Sequence, residues 1–371
     1  MSDSGIREAV VPGSDLGAYV IAAGGTGGHI VPGLALANEI RAEKSGAAVV
    51  FVGTAQGLET TIVRSAGFPL EFIDASGFIG KNWTQKAASL ARLPGGFFQA
   101  RTLLKRHQAR VVVGVGGYVT VPVLMAARSL GMPTLIHESN AMPGAANRFL
   151  NRFARTAVGM AATNTHLRKP GTVTGNPVRA EFFEVPPLDP AAQTRRVLLF
   201  GGSQGSRIIN RAMARAAVLL EKSNLEVVHQ TGEKDLVATR QRYPRIPAGW
   251  TLEPFLPRLW EQMAWADLVV CRAGAMTVSE LAAAGRPSIL IPFASAAGGH
   301  QLENARALYR ARAAAIMEEK DLTAENLAGA IVQQLKDREK LVAMGQKART
   351  LARPGAAKEL AKLVFEVEAA R

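Results

Sequence analysis

The chain has 371 residues, 48% hydrophobic and 20% charged, with a formal net charge of +14. That length predicts two domains of roughly 100–200 residues, each able to bury its own core. The single cysteine, Cys271, excludes an internal disulfide framework and a cysteine-based zinc site, and it fits a reducing compartment.

The first sixteen residues are polar, carry Asp3, Glu8 and Asp15, and lack the pattern of a signal peptide. No apolar run in the sequence reaches the roughly 20 residues needed to span a bilayer. Short apolar runs then alternate with amphipathic ones. Residues 19–23, 48–52, 110–115 and 133–137 are predicted buried strands, and 31–44 and 119–130 are predicted helices between them. The rhythm implies a parallel sheet covered by helices on both faces. It pauses at 170–190, where Gly171, Gly175, Pro177, Pro186, Pro187 and Pro190 cluster as in a linker. It restarts with strands at 196–200, 225–229, 267–271 and 288–292, each followed by a helix. The opening also repeats. Tyr19-Val-Ile-Ala-Ala-Gly-Gly-Thr-Gly-Gly begins the first half and Val197-Leu-Leu-Phe-Gly-Gly-Ser-Gln-Gly the second. The expectation is therefore α/β: two Rossmann-like, doubly wound domains facing each other across a cleft, over residues 1–178 and 179–354. A helix at about 355–371 can pack back on the first.

Charge is concentrated. Residues 75–178 hold thirteen Lys or Arg and one acid, Glu138. Such a field attracts nucleic acid, anionic lipid or a pyrophosphate, or is simply a solvated basic surface. Aromatics are 6% and do not interleave with a basic patch, so no nucleic-acid partner is expected. Phe78-Ile-Gly-Lys-Asn-Trp83, followed by Lys86 and Arg92, suits the surface of an anionic bilayer, with Phe78, Ile79 and Trp83 as contacts. Leu90, Leu93, Phe97, Ala100 and Leu104 recur at helical spacing as core, with Pro94-Gly-Gly expected to break or bend their helix.

Three glycine-rich loops join a strand to a helix. The first is Gly24-Gly-Thr-Gly-Gly-His29, the second Gly114-Val-Gly-Gly-Tyr118, the third Gly201-Gly-Ser-Gln-Gly-Ser206, where Ser203 offers a hydroxyl. Glycine lets the backbone approach an anion closely, and a helix start supplies free N–H groups and partial positive charge. Ile30 replaces the last glycine of the dinucleotide fingerprint, which counts against a dehydrogenase. Downstream, Gly274-Ala-Met-Thr-Val-Ser-Glu280 places Thr277 and Glu280 near a helix start. Glu280 either accepts from the two hydroxyls of a ribose or is a first-turn glutamate favoured by the helix dipole. Gln301 and Asn304, three apart, can share one face of the next helix. Glu138, in His137-Glu-Ser-Asn140 at a strand end, is either a structural ion-pair partner or a general base. No Asp-x-Asp triplet and no metal-ligand spacing of histidines occurs, so neither a metal nor a cofactor is expected.

Together these motifs resemble the MurG family. They are Gly24–His29, Gly114–Tyr118, His137–Asn140, Gly175-Asn-Pro-Val-Arg179, Gly201–Gly205 and Cys271-Arg-Ala-Gly-Ala-Met-Thr-Val-Ser-Glu280, in the family's order. The resemblance implies a GT-B fold and transfer of N-acetylglucosamine from UDP-N-acetylglucosamine to the muramyl 4-hydroxyl of a lipid-linked muramyl-pentapeptide, with inversion. It implies work on the cytoplasmic side of the inner membrane, as a peripheral protein on its anionic surface. It implies donor contacts from Arg179, Ser203, Leu256, Ala275, Met276, Thr277, Val278, Ser279, Glu280 and Gln301. Thr26, Gly27, Gly28 and Asn140 are implied to touch the donor sugar or transfer site, and Tyr118 to bind substrate. The chain has Ser139 where the family commonly has Gln, Leu256 for a common Ile, and small residues at 294–299 where the family is often polar. Glu138 and His29 are the expected acceptor chemistry, with Glu138 orienting or deprotonating the hydroxyl, directly or through His29. A UDP-N-acetylglucosamine 2-epimerase is the competing enzyme class, but it leaves the basic, apolar surface unexplained.

Overall fold

The structure, a computed structural model, describes residues 17–24, 27–57, 59–75 and 83–370, with 27, 83–93 and 297 described by their backbone. The first seven-stranded sheet and its helices run β1 (Ala18–Ala22), α1 (Gly27–Glu43), β2 (Ala48–Gly53), α2 (Glu59–Ser65), β3 (Leu70–Phe72), α3 (Trp83–Arg106) and β4 (Val111–Gly114). They continue with α4 (Thr120–Ser129), β5 (Thr134–Glu138), α5 (Ala145–Leu150), β6 (Arg155–Val158) and β7 (Thr172–Val173). The second, six-stranded sheet uses β8 (Arg196–Phe200), α6 (Arg207–Leu220), β9 (Glu226–Gln230), α7 (Leu236–Arg242), β10 (Trp250–Glu253), α8 (Leu259–Trp265) and β11 (Leu268–Cys271). It ends with α9 (Ala275–Ala284), β12 (Ser288–Leu290), α10 (His300–Arg310), β13 (Ala314–Ile316), α11 (Ala324–Lys336) and α12 (Arg338–Thr350). A last helix, α13 (Ala356–Ala369), follows. By compactness one unit comprises Met1–Ser139, Pro143–Pro177 and Gly355–Arg371, and the other Asn140–Met142 and Val178–Pro354.

In the first unit the strands are almost wholly apolar because both faces are covered. Tyr19, Ile21, Val49, Phe51, Val111 and Val113 pack with Ile30, Leu36 and Ile40 of α1 and Leu360, Leu363 and Val364 of α13. Val20, Ala22, Val52 and Val112 face the other way, onto Ala100 and Leu104 of α3 and Val123, Leu124 and Ala127 of α4. Side chains alternate across a strand, so one apolar run serves two cores. The second unit repeats this with Val197, Leu199, Val227, Val270 and Ile289 under Ile209, Met213 and Ala216 of α6 and Leu327 and Ile331 of α11. The tail helix α13 is fixed to the first unit by charge as well. Glu368 accepts from the Tyr19 hydroxyl at 2.6 Å and from Lys44 at 2.7 Å.

All strand pairs are parallel, in the orders β3-β2-β1-β4-β5-β6-β7 and β10-β9-β8-β11-β12-β13. Order reverses between β1 and β4 in the first sheet and between β8 and β11 in the second. Open sheets of this kind bind ligands at the carboxyl ends of the strands beside such a reversal. The glycine loops after β1, β4 and β8 and the segment before α9 therefore all lie at reversal points.

One local expectation needs correcting. Pro94-Gly-Gly neither ends nor interrupts α3, which runs from Trp83 to Arg106 with Pro94 inside it. Gly96 has a different use, because a Cβ there would lie 2.6 Å from the Asp74 carbonyl oxygen, so glycine lets the helix approach that chain. The glycine- and proline-rich stretch at 170–190, where the chain passes from one unit to the other between Pro177 and Val178, is a structured linker. It contains the edge strand β7 and a 3-10 turn at Ala180–Phe182, with Phe182 buried. Among the described residues no helix is long and apolar enough to cross a membrane.

Candidate active site

In the first unit, the first and second glycine loops lie against each other. A Cβ on Gly117 (φ +83°) would stand 2.3 Å from the Gly24 carbonyl oxygen, so backbone touches backbone and only glycine fits. A Cβ on Gly116 (φ +105°) would stand 2.7 Å from Cδ2 of His29, so the imidazole rests on the second loop. Gly27 and Gly28 open α1, with His29 half-buried behind them. Thr26 lies outside the described residues, as do Phe78, Ile79 and Lys81. The side chains of Trp83, Lys86 and Arg92 are not described.

A carboxylate that sequence reading missed sits beneath this pair of loops. Glu59, fully buried, accepts from the backbone N–H of Thr54 at 2.9 Å and from its hydroxyl at 3.0 Å. The Thr54 hydroxyl in turn lies 3.2 Å from that of Tyr118 in the second loop. A Cβ on Gly24, Gly53 or Gly57 would meet Glu59. The signal in sequence is a lone glutamate opening a short helix just after a strand that ends in Gly53.

Glu138 ends β5 and is buried. Its Oε2 accepts from the Gly144 N–H and from the Asn147 side-chain amide, each at 2.9 Å. It thus ties the strand end to the start of α5. Next to it, buried His137 points Nε2 at the Gly175 carbonyl, 3.2 Å away, and burial pushes its pKa down. Asn176 donates to the Ser139 carbonyl at 3.0 Å, which joins the His137–Asn140 motif to the Gly175-Asn-Pro motif.

In the second unit, Arg179 lies over the Trp260 ring, 4.4 Å from its centroid. Glu280 lies in its field. Burial raises the Glu280 carboxyl to about 7, against a smaller lowering by Arg179. The first-turn explanation of Glu280 does not hold. Helix α9 begins at Ala275, so Glu280 is in its second turn, and the dipole effect fades within the first. The N-cap of α9 is Gly274, which has no side chain to occupy the helix N–H groups. Thr277 is the third helical residue, with its hydroxyl 3.6 Å from where a Cβ on Gly274 would be. Ala275 and Val278 are buried and pack the helix, while Met276, Thr277 and Ser279 are half-buried. Ser279 turns its hydroxyl to the Ala275 carbonyl at 2.9 Å.

The third glycine loop carries Ser203 exposed at its tip. Ser206 is the N-cap of α6, yet its hydroxyl neither caps the helix nor finds any protein partner, although the residue is buried. Leu256 is half-buried in the segment after β10. Gln301, near the start of α10, accepts from the Phe293 N–H at 2.9 Å. Asn304 is fully buried and saturated. Its oxygen accepts from the Ala141 N–H at 2.8 Å, and its amide donates to Asn140 Oδ1 and the Ala273 carbonyl, both at 3.1 Å. Asn140 is therefore held by α10 and the segment before α9. Among the described residues no group of three or more acidic, His or Cys side chains could hold a metal ion. With the helix starts of α6 and α9 left without a side-chain cap, the chemistry this unit offers is anion binding, with the Glu280 carboxyl in the field of the Arg179 guanidinium.

Residues 19–158 match the glycosyltransferase family 28 N-terminal domain, and residues 196–360 match the glycosyltransferase family 28 C-terminal domain. A UDP-N-acetylglucosamine--N-acetylmuramyl-(pentapeptide) pyrophosphoryl-undecaprenol N-acetylglucosamine transferase of Syntrophotalea carbinolica is 42% identical over 355 residues, 94% of this chain and 98% of its own length. The relative of the same description from Methylococcus capsulatus is 40% identical over 347 residues, again 94% of this chain and 98% of its own. The crystal structure of Acinetobacter baumannii MurG matches with a TM-score of 0.77 at 32% identity, covering 94% of this chain and 99% of that one. The two α/β sheets are thus those of a GT-B glycosyltransferase, and with both domains matched in order and 42% identity along nearly its whole length the chain belongs to the MurG family within glycosyltransferase family 28.

Proposed function

We propose that the chain transfers N-acetylglucosamine from UDP-N-acetylglucosamine to the 4-hydroxyl of the muramyl sugar in a lipid-linked diphospho-muramyl-pentapeptide, a step of peptidoglycan synthesis. The observation that carries this is the identity with transferases of that description over 94% of the chain. The second unit takes the donor. Arg179 and Glu280 hold the uridine end, with Glu280 on the ribose hydroxyls. Ser203 and the α6 and α9 starts, with Thr277 at the latter, meet the diphosphate, and Leu256, Met276 and Gln301 complete the pocket. The first unit takes the acceptor, with Gly27, Gly28 and Tyr118 at its transfer site. The hydroxyl oxygen attacks the anomeric carbon from the face opposite the diphosphate, the bond from that carbon to the diphosphate oxygen breaks, and UDP leaves with the electron pair. Helix N–H groups stabilise the charge it acquires.

Two groups share the acceptor proton chemistry. Glu138 already takes two N–H donors on one oxygen, which suits it to orienting the loop that carries Asn140. His29, at the junction of two glycine loops, is suited to taking the hydroxyl proton. Docking on the cytoplasmic face of the inner membrane is proposed for the Phe78, Ile79, Trp83, Lys81, Lys86 and Arg92 segment. Co-sedimentation with anionic vesicles should fall with salt and with Trp83→Ser, and equal binding to neutral vesicles would remove the electrostatic part. Release of UDP that requires the lipid-linked acceptor tests the transfer itself. Conversion of UDP-N-acetylglucosamine to its 2-epimer without acceptor would replace it.

A further inference from the structure

The second unit buries a polar network that the chemistry above does not use. His229 is fully buried near the end of β9, with Nδ1 2.8 Å from the Tyr243 hydroxyl and Nε2 3.0 Å from Oδ1 of Asn210. Asn210, on α6, spends both its N–H bonds as a donor, to the Thr231 carbonyl at 2.9 Å and to Asp235 Oδ2 at 2.7 Å. Its oxygen must therefore accept, so His229 donates from Nε2 and accepts from Tyr243 at Nδ1. Burial lowers the His229 pKa to about 3 and raises that of Tyr243, so both stay neutral and the direction of every bond is fixed. Asp235 closes the network, also accepting from the Thr239 hydroxyl at 3.1 Å.

The network ends under the third glycine loop. A Cβ on Gly205 (φ +71°) would lie 1.9 Å from the Thr231 carbonyl oxygen, the atom that Asn210 holds. From the other side, a Cβ on Gly232 (φ +85°) would lie 2.4 Å from the Gln204 carbonyl oxygen. The loop is thus pressed onto the Thr231–Gly232 peptide, and the unpartnered Ser206 hydroxyl follows directly. A buried, fully satisfied polar network fixes one geometry where apolar packing would tolerate several.

We propose that His229, Asn210 and Tyr243 are positioning residues for diphosphate recognition: they lock the Thr231 carbonyl and through it the aim of the N–H groups at residues 202–206. This rests on the donor-site reading above. It implies that the network acts on the phosphates of the donor and leaves the nucleoside alone.

The test is calorimetric titration of the full chain with UDP and with uridine. Tyr243→Phe removes the last hydroxyl donor, and the loss of one buried hydrogen bond should weaken UDP about 3- to 10-fold while uridine is unchanged. His229→Leu should weaken UDP more. His229→Gln, whose amide can donate to Asn210 and accept from Tyr243, should restore most of the affinity. Equal losses for UDP and uridine, or unchanged UDP affinity in folded Tyr243→Phe, would overturn the inference. A wild-type chain that does not prefer UDP to uridine would instead remove the donor-site reading, so the two failures are distinguishable.

Discussion

Glu280 offers a pH-dependent test of the ribose contact. Its carboxyl has a pKa of about 7 in the folded chain against an ordinary 4.5, mainly because burial disfavours the charge. Since the folded value lies above the unfolded one, its contribution to stability is complete below about pH 4.5 and is lost as the pH rises through about 7. Ribose hydroxyls donating to the carboxylate favour the charged form, so in the complex the pKa should return toward 4.5. Linkage then makes binding about tenfold tighter at about pH 8 than at about pH 6, with up to one proton released on binding at the lower pH. UDP-N-acetylglucosamine is the ligand of choice, because its diphosphate carries no group titrating in that range. Calorimetry in two buffers of different ionisation enthalpy reads both the affinity and the proton. Glu280→Gln should flatten the profile, and Arg179→Ala should move its midpoint upward by removing the cation that lowers it. A wild-type profile as flat as that of Glu280→Gln, with no proton released, would refute the contact.

Gly117→Ala drives a Cβ to 2.3 Å from Gly24, and displacing the two acceptor-side loops by even an ångström should reduce turnover about 10²-fold. Gly67→Ala, at φ +73° with open space around it, should cost only about 1–2 kcal/mol of stability and leave turnover unchanged. Equal effects on turnover would contradict the packing argument. His29→Ala should lower kcat by about 10²–10⁴-fold, the usual contribution of a positioned base, whereas Glu138→Gln, whose amide oxygen can still accept from both Gly144 and Asn147, should lose less. The reverse order would exchange their roles. Arg286 is buried and donates to the Met263 and Ala264 carbonyls at the end of α8, with a pKa lowered to about 10, chiefly by burial. Arg286→Ala should lower the denaturation midpoint by a stability change of about 1–3 kcal/mol, as expected when buried carbonyls lose their donor. A loss below that of a typical surface substitution would show that those carbonyls find other donors.

The core strands were legible because burial on both faces makes them unbroken apolar runs: residues 196–200 are both the expected strand and β8. Short strands such as β3, β6 and β13 were not, because three or four residues carry too little periodicity to stand out from a loop. At 170–190 composition located the passage between the units, at Pro177–Val178, but Gly171 and Gly175 there serve close packing and a turn rather than freedom. A Cβ on Gly171 would lie 2.9 Å from the Thr156 carbonyl oxygen, and Gly175 has φ +86°. At the site, the glycine loops were readable because backbone contact leaves a compositional trace. Glu59 and the Asn210–His229 pair were not, since a buried polar residue is recognisable only once its partners, distant in sequence, are known. The strand carrying His229 reads simply as the apolar pair Val227-Val228 flanked by polar residues.

The most direct test of the account incubates the intact chain with UDP-N-acetylglucosamine labelled in the sugar and a lipid-linked diphospho-muramyl-pentapeptide, and follows both the label and the new linkage by NMR. The expected result is one UDP released for each sugar transferred, with the label on the lipid-linked product and the anomeric configuration inverted. Label remaining on the nucleotide while the acceptor is unchanged, or a product with retained configuration, would contradict it.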